Sequence, residues 1–118
     1  MENKFQLKDL STYRKQIEII RDTAAQIIKD FEIAGEEISF SGNAETAYIE
    51  LKSQIFPIVE KLLQSNFQKF LFLLYKIDVS ENAIKKISSE NKKKFAENVC
   101  ELILERELKK VIIRKFYR

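Results

Sequence analysis

Residues 89–116 read SENKKKFAENVCELILERELKKVIIRKF, and they predict one long α-helix because they lie within the chain's longest run without glycine or proline. On a helical wheel, the apolar residues of this helix change side near its middle. The first group falls within about 100° on one side: Phe95, Val99, Leu102 and Ile103. The second group lies nearly opposite: Leu104, Leu108, Val111 and Ile112. A helix packed along one core keeps one apolar stripe, so the change predicts a second contact for the last half of the helix.

Two interpretations of that second contact remain open. Short helices of the same chain could wrap the last helix on both sides. Alternatively, the second group could form an association surface for a protein partner or for another copy of the chain, because contiguous exposed apolar patches mark interfaces. The interface predicted on the second interpretation consists of Leu104, Leu108, Val111 and Ile112.

The composition predicts a single all-α domain over residues 1–118. Hydrophobic residues make up 45% of the chain, enough for one core, while two glycines and one proline leave few turns for an all-β design. Residues 1–9 have no clear period and are expected to form a loosely ordered lead-in.

Two more long helices follow from the spacing of apolar residues. From Leu10 to Phe31 they recur at steps of three and four, and Gly35 is suited to end that helix. A second helix follows Asn43, and its apolar phase continues through Pro57. The continuous phase favours one helix kinked at Pro57 with the proline facing solvent, against the alternative of two helices separated there.

Two short helices complete the predicted bundle. Residues 67–76 are apolar in every direction of the wheel, which predicts a buried, central helix. Ser80 is suited to begin a short connecting helix, and Ser88 or Ser89 to cap the last one. The expected fold is an up-down bundle of three long helices plus one buried short helix and one short connecting helix. Arg106 is expected to be half-buried, with a carboxylate partner such as Asp78 or an acid of the first helix.

The basic residues are concentrated at the C-terminal end. Residues 1–80 carry a net charge of −2 and residues 81–118 carry +5. This bias supports an alternative function, binding of nucleic acid or another polyanion, with Phe116 and Tyr117 available for base stacking. The modest total charge of +3 and the absence of helix-turn-helix spacing weigh against it. The basic set is Lys92, Lys93, Lys94, Lys109, Lys110, Arg114, Lys115 and Arg118.

No residue is nominated for catalysis, cofactor binding or metal binding. The chain has no histidine, no glycine-rich phosphate loop and no paired metal-ligand spacing. The single Cys100 sits among apolar neighbours and is interpreted as a packing residue. A lone cysteine and the lack of a signal-peptide pattern predict a cytoplasmic protein, and no apolar run approaches the ~20 residues that a membrane helix needs. We therefore expect a non-enzymatic helical interaction module, with a homodimer or another protein as partner.

Two segments also resemble a group of small, mostly uncharacterised bacterial proteins. They are residues 74–80, Leu-Tyr-Lys-Ile-Asp-Val-Ser, and residues 105–110, Glu-Arg-Glu-Leu-Lys-Lys. Together they cover a small part of the chain. The resemblance implies a small cytoplasmic helical protein with no assigned activity.

Overall fold

The structure, a computed structural model, describes residues 7–87 and 91–117, with side chains from residue 14 onward. These residues form five α-helices and no strand: α1 Leu7–Ile33, α2 Ala47–Ser65, α3 Phe67–Ile77, α4 Glu81–Lys85 and α5 Lys92–Phe116. A 3-10 turn, Ala44–Thr46, leads into α2. The predicted all-α bundle of three long and two short helices is confirmed. Among the residues described, no helix has both the length and the apolar character required to cross a bilayer.

α5 is the element that joins the bundle, because it packs against both other long helices. Its C-terminal half runs antiparallel to α1, as the pairs Lys110–Asp30 and Lys115–Glu18 show. Its N-terminal half runs along α2, where Glu101 meets Lys52. The core between the helices includes Phe31, Ile55, Phe70, Leu73 and Ile103, all essentially without exposed surface. Burying each such side chain is worth about 1.5–3 kcal/mol.

α1 begins at Leu7, three residues before the predicted start at Leu10, and it ends just before Gly35, as the sequence predicted. α1 already includes Leu7 to Asp9, and residues 1–6 lie outside the described range, where the expected lead-in stays a prediction. At the other end, Gly35 has φ +81°, and the Glu36 amide donates to the carbonyl of Phe31 at 2.8 Å. This is the glycine-ended turn that closes many helices, because glycine tolerates the left-handed backbone.

α2 is a single helix with Pro57 inside it, and the proline side chain is exposed. The prediction of one helix with a solvent-facing proline is confirmed. Proline lacks an amide hydrogen, and on the solvent side water can satisfy the carbonyl left without a donor.

Buried side chains hold the loop between α1 and α2 against the bundle. The Glu36 carboxylate lies 3.0 Å from Lys61 Nζ and 2.8 Å from Lys69 Nζ, so it connects the loop to α2 and α3. Burial tends to raise the pKa of Glu36, but the two lysine hydrogen bonds outweigh it and lower this pKa below its ordinary value. Ile38 of the same loop is buried as well and belongs to the core.

α3 is not the central helix that its all-apolar sequence predicted. One face is buried through Phe70, Leu73 and Ile77, whereas Tyr75 on the opposite face is 79% exposed. The prediction was wrong because α3 covers one side of the bundle, so only one side of it meets other helices. Its remaining aromatic residues therefore face solvent.

Asp78 ends α3 in the left-handed region, with φ +75°, and accepts a 2.6 Å hydrogen bond from Arg106. This contact confirms the predicted carboxylate partner of Arg106, which is half-buried. Ser80 caps α4 by accepting a hydrogen bond from the Ala83 amide, also as predicted. The N-cap of α5 is Asn91, whereas the predicted caps Ser88 and Ser89 lie outside the described residues.

Candidate interaction surfaces

The buried face of α5 is one continuous stripe, and it passes through an acidic residue. The fully buried residues Val99, Ile103, Glu107 and Val111 follow one another at steps of four. The predicted change of side near Leu104 was therefore wrong. The apolar residues alone show a change of side because the acidic Glu107 occupies the buried position between Ile103 and Val111.

Glu107 lies where α5 contacts α1, and it shares the single cation Lys110 with a second acid, Asp30. Its side chain is 0% exposed, and Lys110 Nζ lies 2.8 Å from its Oε1 atom. The same ammonium lies 2.7 Å from Oδ2 of Asp30 on α1, which is also buried. Neither carboxylate oxygen of Glu107 accepts a well-aligned hydrogen bond from the residues described. Two buried carboxylates facing one ammonium leave an uncompensated negative charge when both are ionised.

Burial, together with that surplus charge, explains the raised pKa of Glu107. Burial raises the pKa of Glu107 to about 8, Lys110 works in the opposite direction, and the neighbouring Asp30 raises it further. Near neutral pH the carboxyl group of Glu107 therefore retains a proton in the folded chain. The protonated carboxyl group of Glu107 can donate a hydrogen bond to the Asp30 carboxylate. The cluster then contains one anion, Asp30, and one cation, Lys110.

The basic residues near the end of α5 are bound to α1 by a series of contacts. Arg114 donates to Gln26 at 2.9 Å, and Lys115 Nζ lies 3.1 Å from Glu18 and 3.0 Å from Asp22. Together with Lys110, these residues have their charges or donors engaged within the chain. Because these contacts within the chain engage them, the three residues are less available to a polyanion than the sequence indicated.

The structure also divides the predicted polyanion-binding set between two distant places. Lys92, Lys93 and Lys94 are exposed at the start of α5, about 22 Å along the helix axis from Lys109, which is exposed as well. Arg118 lies outside the described residues. The seven described members of the set therefore do not form one continuous basic surface.

The four residues of the predicted interface have different environments. Val111 is 0% exposed within its own chain, so it is not available to a partner in this conformation. Leu108 is 38% exposed, and Leu104 and Ile112 are half-buried. Phe116, one further step of four along the helix, is 51% exposed. We call Leu104, Leu108, Ile112 and Phe116 the apolar ridge, since residues four apart are neighbours on a helix surface.

A second exposed apolar site lies between α2 and the start of α5. A cleft of about 400 Å³ is lined by Ile49 and Phe56 of α2 and by Lys93 and Glu97 of α5, among other residues. Ile49 is 72% exposed, the most exposed aliphatic residue of the described chain. Sequence reasoning assigned Ile49 no role, because it falls off the main stripe of α2.

Polar contacts hold one wall of this cleft. Tyr48 donates a short hydrogen bond to Glu101, and Lys52 Nζ lies 2.7 Å from the same carboxylate. The hydrogen bond to Glu101 raises the pKa of Lys52 to about 12, and the contacts with Lys52 and Tyr48 lower the pKa of Glu101. Lys52 and Glu101 thereby neutralise each other.

Cys100 is fully buried, and burial raises its pKa to about 12, so its thiol stays protonated and unreactive.

A wider cleft of about 850 Å³ lies between the end of α2 and the start of α5, with Glu60, Asn91 and Lys92 among its lining residues. The described residues contain no group of three or more cysteine or acidic side chains placed to hold a metal ion.

Neither a protein-family model nor a curated protein nor a solved structure matches this chain. The resemblance to small bacterial proteins therefore stays a prediction.

Proposed function

We propose that this chain is a helical protein–protein interaction module that self-associates through the apolar ridge of α5. The observation that carries the proposal is the exposure of Leu108 and Phe116 on the outer side of a helix whose inner side is already buried. A continuous row of apolar side chains in water carries a free-energy penalty that covering it removes. The proposed interface differs from the one that the sequence predicted, because it includes Phe116 and leaves out the buried Val111.

The spacing of the ridge suits pairing with another copy of itself. Rows of residues four apart are the ridges that interdigitate in the commonest class of helix packing, with a crossing angle of about −50°. A two-fold axis lets the same row serve both partners, because each copy presents identical residues. With the axis between Leu108 and Ile112, Leu108 of one copy faces Ile112 of the other.

The charges beside the ridge favour an antiparallel arrangement. In a parallel pair, Glu105 of one copy would face Glu105 of the other, and the two basic last turns would lie side by side. In the antiparallel pair centred between residues 108 and 112, the exposed Glu105 of each copy faces the last turn of the other, which contains Arg114 and Lys115. It also places opposite ends of the two helix dipoles side by side.

The ridge is small, which sets the expected strength of association. Stable interfaces bury about 800 Å² on each partner, more than four partly exposed side chains supply. We therefore expect a dissociation constant in the micromolar range or weaker.

Sedimentation velocity over about 5–500 µM protein tests this proposal. The wild type should move from monomer toward dimer, and Leu108→Glu should remain monomeric because dimerisation would bury an unpaired carboxylate. Tyr75→Glu is the matched control, since it adds the same charge at an exposed aromatic residue on α3 and should dimerise like the wild type. A wild type that stays monomeric throughout, or equal effects of the two variants, would contradict the proposal.

A further inference from the structure

The hydrophobic core does not continue along the whole length of α5. Ile103 is the last fully buried residue of α5 in this core, and one turn further the buried position is occupied by the carboxylic acid Glu107. Val111 is buried beyond Glu107, but it does not belong to the core cluster. A buried acid therefore separates residues 108–116, which we call the terminal segment, from the main core.

The terminal segment is held to α1 mainly by polar contacts. Within residues 108–116, Val111 is the only buried residue. Ion pairs with partly exposed members contribute little to stability, so this contact is weaker than the apolar contacts of the core. We therefore expect the terminal segment to open more readily than the rest of the bundle. Its polar contacts are Lys110 with Asp30, Arg114 with Gln26, and Lys115 with Glu18 and Asp22.

Ionised Glu107 has no cation of its own in this contact. From α1, Asp30 faces it, and Lys110 of α5 is shared by the two acids. Arg106, the preceding residue, is bound to Asp78 at the end of α3. The buried residues of α2 and α3 are all apolar, so these two helices bring no buried charge to α5. Water can therefore stabilise the ionised carboxylate of Glu107 better than this contact does.

We propose that protonation of Glu107 controls a local opening of the protein, in which the terminal segment leaves α1 while the rest of the bundle stays folded. In the closed form, Glu107 keeps its proton and can donate a hydrogen bond to Asp30. In the open form, water reaches Glu107 and its proton passes to solvent, while Val111 and Asp30 become exposed. The opening needs no second copy of the chain, so it is independent of the proposed self-association.

The two forms of Glu107 determine the direction and size of the pH effect. Burial raises its pKa to about 8 in the closed form, and hydration returns it toward 4.5 in the open form. Between these values the open form binds fewer protons, so the open fraction rises as pH rises. The rise is about tenfold from pH 6 to pH 7 and about fiftyfold from pH 6 to pH 8, and it levels off above that.

Lys110 keeps its charge over the same range. Burial tends to lower the pKa of Lys110, but its hydrogen bonds to Asp30 and Glu107 outweigh burial and raise this pKa above the ordinary value of 10.5. The pH effect between pH 6 and pH 8 is therefore assigned to Glu107 and not to its cation.

Hydrogen–deuterium exchange read by mass spectrometry tests the opening. The full chain is used at about 1 µM, a concentration at which the proposed dimer is dissociated. The released end of a helix is marginal in water, so its amides lose protection when the terminal segment opens. Protection within residues 108–116, corrected for the exchange rate of an unstructured chain, should fall about fiftyfold from pH 6 to pH 8. It should also be lower, and depend less on urea, than protection within residues 51–62 of α2.

Three variants separate the proton from the contact that it controls. Glu107→Gln cannot ionise, so its terminal segment should keep the same protection at pH 6 and pH 8. Glu105→Gln, the same change at an exposed position of α5, should retain the pH dependence of the wild type. Val111→Ala weakens the one buried apolar contact of the terminal segment, so it should lower protection there about tenfold at both pH values and preserve the fiftyfold fall. Circular dichroism verifies that each variant is folded.

Protection of the terminal segment that does not change between pH 6 and pH 8 would overturn the proposal, as would an equal fall in Glu107→Gln. Equal protection and equal urea dependence in the terminal segment and in α2 would also contradict it, because the segment would then open only when the whole protein unfolds.

Discussion

Replacing Glu107 with glutamine should make the protein more stable at mildly alkaline pH. The substitution keeps the shape of the side chain and removes its charge, while the ion pair between Lys110 and Asp30 remains at 2.7 Å. In the wild type, ionised Glu107 would add a second buried anion to a site with one cation. Glutamine cannot ionise, so the variant avoids this cost at every pH.

The sign and size of the effect follow from the pKa of Glu107, which rises from 4.5 to about 8 on folding. Between these values the folded chain holds a proton that the unfolded chain has released, so the free energy of unfolding falls as pH rises. Each pH unit is worth about 1.4 kcal/mol, for a total near 5 kcal/mol. Below pH 4.5 both states hold the proton, and above about 8 both have lost it, so the slope from this group vanishes there.

Burying an amide with imperfect partners costs about 1–3 kcal/mol, which offsets part of the gain. We therefore expect Glu107→Gln to be more stable than the wild type by about 3 kcal/mol at pH 8.5 and within about 1 kcal/mol of it at pH 5. Urea unfolding followed by circular dichroism at both pH values measures the difference, and Glu105→Gln on the exposed face is the control. A variant that is less stable at pH 8.5, or a difference independent of pH, would refute the reasoning.

Three further substitutions test other parts of the structure. Lys110→Met removes the cation shared by two buried acids, so it should cost about 3–5 kcal/mol at pH 8.5 and less at pH 5, as urea unfolding at each pH would show. Glu36→Gln should cost about 1–2 kcal/mol at neutral pH. Because its pKa is lowered on folding, that contribution is present above pH 4.5 and fades below it, so the difference from wild type should shrink in acid melts. Asp78→Val should cost about 2 kcal/mol, because φ +75° is strained for a β-branched residue, whereas Asp78→Gly should stay within about 1 kcal/mol in thermal melts.

Local sequence signals predicted much of the fold. The unbroken apolar phase through Pro57 identified α2 as one helix, because the buried side of a helix must stay continuous whatever interrupts its backbone. The need to pair a half-buried guanidinium predicted a carboxylate partner for Arg106, either Asp78 or an acid of the first helix, and the structure shows Asp78. The continuity of α2 depends only on spacing within one helix, and the partner of Arg106 depends only on the attraction between two charged groups.

Tertiary context decided the rest. The all-apolar sequence of α3 indicated burial on every side, but the bundle covers only the side with Phe70 and Leu73. The position of Glu107 was missed because an acid is normally on the surface, and only its neighbours on α1 show how it is accommodated. A signal was present, since Glu107 lies four residues from Ile103 and four from Val111. Three of the predicted interface residues, Leu104, Leu108 and Ile112, belong to the apolar ridge, although the reason given for selecting them was wrong.

Disulfide formation between engineered cysteines tests most directly whether two copies pair along the ridge. In the antiparallel pair centred between residues 108 and 112, a mixture of Leu108→Cys and Ile112→Cys proteins should cross-link faster than either variant alone. Cys100 should stay silent, because it is fully buried and its pKa is raised to about 12. Cross-linking no faster than that of a Tyr75→Cys control would contradict the proposed self-association.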